Sequence, residues 1–133
     1  MTTSTTITGV VEQLLDHATN GRWDELREVL DPSFEIIEPD SLPYGGTHRG
    51  ATAYVALMQR IGELFDLEFA PDGLHTLGDR TVLLRMHVTF TARATGRTTH
   101  LPVLELLTVQ DARVTRSQVF ISDTATLLST LDP

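Results

Sequence analysis

The hydrophobic pattern of this chain changes period near residue 66, and few architectures accommodate that change. Before it, Val10, Val11, Leu14, Leu15 and Ala18 recur at helical spacing up to an Asn20-Gly21 stop. Trp23, Leu26 and Leu30 mark a second short helix that ends at Asp31-Pro32, because the residue before proline resists the α region. Phe34, Ile36 and Glu38 then share one face of a brief strand over 34–37. The Pro- and Gly-dense run 39–50 reads as a loop, and Tyr54, Met58, Ile61 and Phe65 form the apolar stripe of a third helix. From Leu67 the period falls to two. Segments 67–70 and 74–77 read as a strand interrupted at Pro71-Asp72-Gly73, followed by long strands over 81–93, 98–110 and 113–122. Turn signals at Gly78-Asp79, Thr95-Gly96 and Asp111-Ala112 join them, and a short helix over 123–131 closes the chain.

Helices followed by antiparallel strands are the α+β pattern. Strands of about a dozen residues must twist and curl. The sequence therefore predicts a cone-shaped α+β barrel: three N-terminal helices on a strongly curved antiparallel sheet, a short C-terminal helix, and a hollow interior suited to a ligand. One domain over 1–133 is expected, with 1–6 disordered.

Composition removes several kinds of chemistry. The chain has no cysteine, hence no disulfide, thiolate nucleophile or sulfur-held zinc. It has no lysine either, which removes Schiff-base chemistry and an anchored pyridoxal phosphate. Eighteen acidic residues against ten basic ones give a net charge of -8, the wrong sign for a nucleic-acid or anionic-membrane partner. His17, His75 and His100 are scattered singles without ligand spacing, so no metal and no other cofactor is expected. No run approaches the ~18 apolar residues of a membrane span, and the first residues lack a signal-peptide pattern; a cytoplasmic protein is expected.

The order of elements, the run Glu38-Pro39 through Leu42-Pro43-Tyr44-Gly45-Gly46-Thr47-His48-Arg49-Gly50, the Thr95-Gly96 turn, the strand 103–109 and the ending Val119-Phe120-Ile121-Ser122-Asp123 carry a resemblance. Together they resemble the nuclear transport factor 2-like superfamily, which includes SnoaL-type polyketide cyclases, ketosteroid isomerases and limonene epoxide hydrolases. The resemblance implies a SnoaL-like domain and a homodimer. It also implies a cofactor-independent enzyme doing cyclisation, isomerisation or epoxide chemistry on a small hydrophobic metabolite such as a polyketide or terpenoid. A non-catalytic binding protein of the same fold is the alternative, since this fold hosts enzymes and non-enzymes alike.

Five residues are candidates for chemistry. Asp123 stands where SnoaL-type cyclases place an aspartate, and equally where an N-cap of the last helix would stand. Arg85 and His87 share the odd face of their strand, where epoxide hydrolases carry an Arg-x-Asp pair. Turned inward, His87 could form an acid/base dyad with Asp123, supported by Arg85; turned outward, both are surface residues. Glu38 resembles the Asp-Pro carboxylate of ketosteroid isomerases and shares the face of Phe34 and Ile36. Glu105 shares a face with Leu101, Val103, Leu107 and Val109, where an acid demands a partner. Trp23, Phe34, Tyr44, Tyr54, Met58 and Phe120 are the expected apolar and aromatic lining of the substrate site, and His48 joins Tyr44 as a residue of the pocket mouth.

Overall fold

The computed structural model describes residues 6–133. Of the segment 1–6 expected to be disordered, 1–5 lie outside the described residues. Thr6 is the N-cap of the first helix, its hydroxyl accepting from the Gly9 N–H at 3.0 Å. Helix α1 (Ile7–Thr19) is followed by α2 (Trp23–Val29), strand β1 (Leu30–Glu38), β2 (Gly46–Arg49), α3 (Gly50–Leu64), β3 (Phe65–Leu77), β4 (Thr81–Ala92), β5 (Thr98–Gln110), β6 (Arg113–Ile121) and α4 (Thr124–Ser129). The strands form one curved, unclosed sheet in the order β2-β1-β6-β5-β4-β3.

The structure adjusts the sequence reading in four places. A short strand, β2, emerges from the expected loop and pairs with β1, Ile36 opposite His48. Strand β1 begins at Leu30, where an irregularity between Leu30 and Glu35 admits Pro32. Helix α3 stops one residue before Phe65, which opens β3; that strand runs unbroken through Pro71 by means of a bulge between Pro71 and Gly73. Finally, β1 pairs with β6 in parallel, so the sheet is antiparallel everywhere except at this one junction.

Alternation decides which side each strand residue takes. Val82, Leu84, Met86, Val88 and Phe90 of β4 and Leu101, Val103, Leu107 and Val109 of β5 are all buried on the concave face. Helices α1, through Val10, Val11 and Leu14, α2, through Leu26, and α3, through Tyr54, Val55, Leu57 and Ile61, cover that face. Phe34 of β1 meets Tyr54 of α3 edge to face, centroids 5.3 Å apart, and Phe65 meets Phe90 likewise at 5.5 Å. The convex face keeps Leu104 and Phe120 exposed on paired positions of β5 and β6. Among the described residues no helix is long and apolar enough to cross a membrane.

Candidate active site

Two glutamates project from the sheet into the covered side. Glu38 ends β1 and is only 4% exposed. Glu105 sits mid-strand in β5, flanked by the buried Val103 and Leu107. Its neighbours are Leu84 on β4 and Val119 on β6. On the other side of β6, Ile37 pairs with Gln118, which sets Glu38 next to that same Val119. The acids are thus two strands apart on one face, roughly 10 Å between backbones, near enough for the charge of Glu105 to act on Glu38.

Burial governs their protonation. Desolvation, reinforced by the charge of Glu105, pushes the Glu38 carboxyl up to about 8. Glu105 retains some accessible area, yet it looks into the covered side and titrates as a buried group, pushed up to about 7 by desolvation. The Ser117 hydroxyl opposes that rise. It lies near enough to favour the charged form of Glu105, although the approach falls short of a formed hydrogen bond. Both acids therefore change protonation close to neutrality, the range useful for general acid–base work.

Two tyrosines complete the group. Tyr44 and Tyr54 are each 6% exposed. Burial, then the charge of Glu38 on Tyr44 and of Glu105 and Glu38 on Tyr54, raises both phenols above their ordinary value. They stay protonated and can donate hydrogen bonds. Tyr54 comes from the inner stripe of α3. Tyr44 is placed by the tight loop between β1 and β2, where Leu42 N–H donates to the Pro39 carbonyl at 3.1 Å and Gly45 N–H to the Leu42 carbonyl at 2.9 Å. The Tyr44 carbonyl in turn lies 2.7 Å from His48 Nε2. Only glycine fits at position 45, since a Cβ there would stand 2.3 Å from the Pro39 carbonyl oxygen.

A cleft of about 310 Å³ opens beside Glu38 between the ends of β1 and β6, bordered by Val119, Phe120, Ile121 and Thr124. A second hollow, about 400 Å³, lies at the opposite end of β5 and β6 near Asp79, Arg80 and Asp111, away from the buried acids. Glu38 borders the first, which makes it the candidate site; Glu105 lies deeper and lines neither hollow.

The remaining sequence candidates lie elsewhere. Arg85 and His87 face outward, opposite Leu104 and Pro102 on the convex side, and both are exposed. Arg85 makes an ion pair with Asp72 at 3.0 Å. An interior His87–Asp123 dyad is therefore not formed: the even residues of β4 are the apolar ones and take the core, which turns the odd ones to solvent. Asp123 is exposed and caps α4. Its carboxylate accepts from the Thr126 N–H at 2.9 Å and from the Thr126 hydroxyl at 2.6 Å, which hold it below the usual carboxylate range. Phe34 is fully buried beneath Tyr54, Trp23 and Met58 pack partly buried on the core, and Phe120 borders the cleft from the convex side. Among the described residues no three His, Asp or Glu side chains gather as metal ligands.

Ser117 escaped the sequence reading. Counting by twos from the buried Val114 turns it outward, but a bulge opposite Thr108 and Val109 inserts an extra residue and brings Ser117 onto the concave face opposite Leu107. The signal in the sequence lay at the other end of the strand, where Val119 and Ile121 count back to Ser117.

Known proteins share this frame. A nuclear transport factor 2-like protein from Burkholderia xenovorans LB400 superposes with a TM-score of 0.88 over 95% of each chain at 26% identity. A protein described provisionally as a SnoaL-like polyketide cyclase, from Jannaschia sp. CCS1, matches with a TM-score of 0.79 at 21% identity over 100% of this chain and 99% of its own. TerC, crystallised with polyporic acid, matches with a TM-score of 0.84 at 17% identity, covering 96% and 98% of the two chains. No functionally curated protein matches the sequence. The SnoaL-like domain family matches residues 11–117, most of the chain, from within α1 to within β6, and the protein belongs to that family.

Proposed function

We propose that this protein is a cofactor-independent enzyme that moves protons on a small hydrophobic carbonyl metabolite, with Glu38 and Glu105 as its acid/base pair. The observation that carries the reading is two carboxyls on one covered face, both pushed by burial into the neutral range. At neutral pH such a pair offers one carboxylate and one carboxylic acid. The carboxylate takes the proton from a carbon next to the carbonyl, and the electron pair of the broken C–H bond moves to the oxygen as an enolate. The acid and the protonated Tyr44 and Tyr54 stabilise that oxygen by hydrogen bonds. Where a C=C is conjugated with the enolate, reprotonation at its far carbon gives isomerisation; attack of the enolate carbon on another carbonyl forms the ring C–C bond, and the carboxylic acid gives its proton to the resulting alkoxide. The likeness to a protein described as a polyketide cyclase, and the polyporic acid crystallised with TerC, support a cyclic, carbonyl-rich substrate. The apolar walls around the pair suit such a ligand.

The test is hydrogen–deuterium exchange next to the carbonyl in a panel of bicyclic and tricyclic ketones in D2O, followed by proton NMR. Exchange accelerated by the protein, and lowered about 100-fold or more in Glu105→Gln and in Glu38→Gln, is expected. Equal exchange with the double variant would leave a binding protein of the same fold as the better reading.

A further inference from the structure

We propose that Ser117 is a positioning residue: its hydroxyl holds the Glu105 carboxylate and so makes Glu105, not Glu38, the base of the pair. This rests on the acid/base reading above and assigns roles within it.

Ser117 is 1% exposed, and its Oγ is cut off from solvent with no hydrogen-bond partner among the described residues. A buried hydroxyl left unpaired is costly, so its place calls for an explanation. Its lateral neighbours, Leu107 on β5 and Ile36 on β1, offer no polar atom. By register both acids stand one residue pair further on, Glu105 on β5 and Glu38 on β1, but it is the Glu105 carboxyl that the hydroxyl approaches closely enough to favour its charged form.

No hydroxyl serves Glu38 from the sheet, where its neighbours are Phe34 and Ile36 on β1, Val119 on β6 and Gly46 on β2, with His48 on the same face opposite Ile36. On the other side of Glu105, β4 presents Leu84. The titratable groups that face the two acids are Tyr54 from α3, which acts on both, and Tyr44 from the loop before β2, which acts on Glu38. His48 of β2 lies beside this loop with its ring on the Tyr44 carbonyl. Ser117 is therefore the asymmetric element, and the β6 bulge that turns it inward builds it into the fold.

The experiment is an NMR titration of the glutamate side-chain carboxyl carbons, with Glu38→Gln and Glu105→Gln identifying the two signals. In the wild type Glu105 should ionise before Glu38. Ser117→Ala should raise the Glu105 midpoint by about one pH unit, the scale of a hydrogen bond to a charged group, and so bring it level with Glu38 or beyond. Ser117→Thr, which keeps the hydroxyl, should restore the wild-type order. If Ser117→Ala does not fold, Ser117→Cys, a near-isostere with a weak donor, should shift Glu105 in the same direction. A Glu105 midpoint unmoved by the Ala or Cys variant, or moved equally by the Thr variant, overturns the proposal. The readout needs no substrate. Failure of ketone exchange would sink the acid/base reading while leaving this titration to stand, and an unmoved titration would sink only the role of Ser117.

Discussion

Glu38 and Glu105 flank Val119 from its two sides, one on the parallel and one on the antiparallel neighbour of β6. The parallel junction of β1 with β6 is what brings a residue from the N-terminal half of the chain beside the long meander. The carboxyl pair, with its consequences for pH and for substrate, exists only because of that junction.

Stability should fall as pH rises through neutrality. Both glutamates titrate higher in the folded protein than their ordinary value of 4.5, at about 8 and about 7. Between pH 4.5 and 8 the folded state thus holds more protons than the unfolded state, and raising pH favours unfolding. Asp31 and Asp123, lowered by the hydrogen bonds they accept from Ser33 and Thr126, work the other way below about pH 4. The urea midpoint should therefore peak near pH 5 and decline towards pH 8.5 by an amount equivalent to a few kcal/mol. The Glu38→Gln, Glu105→Gln double variant should show a nearly flat profile over that range.

Asp123 should matter for the helix more than for the chemistry. Asp123→Ala removes the cap of α4 and should lower Tm by a few degrees. Asp123→Asn keeps an acceptor for the Thr126 N–H and should stay close to wild type. Neither change should reduce ketone exchange more than a few-fold.

Arg85 and His87 should be dispensable. Arg85→Ala loses an ion pair whose partners are both about half exposed, and such pairs contribute little. Arg85→Ala and His87→Ala should each alter stability by no more than about 0.5 kcal/mol, measured by urea unfolding, and should leave exchange rates unchanged.

Two glycines should answer oppositely to the same substitution. Gly45→Ala forces a Cβ against the Pro39 carbonyl and must displace the loop that seats Tyr44, so both Tm and the exchange rate should fall. Gly62 lies in α3 with nothing within 4 Å of an added Cβ. Gly62→Ala should raise stability, by up to about 1 kcal/mol, with the exchange rate unaltered. Thermal unfolding of the two variants side by side checks both outcomes.

The sequence by itself determined the α+β class, the four helices, the long strands, and the faces of Glu38 and Glu105, because each follows from a period of 3.6 or 2 and from turn residues within a few positions. It also separated the two faces of β4, but not which one looks inward; burial of the apolar even residues against the helices settled that and put Arg85 and His87 outside. The rest depended on long-range pairing. Alternation carries no information about whether β1 meets β6 in parallel, whether β2 forms from a glycine-rich loop, or where a bulge adds a residue and reverses Ser117. Those choices are made by the packing of the whole sheet against its helices, and they decided which of the legible acids meet.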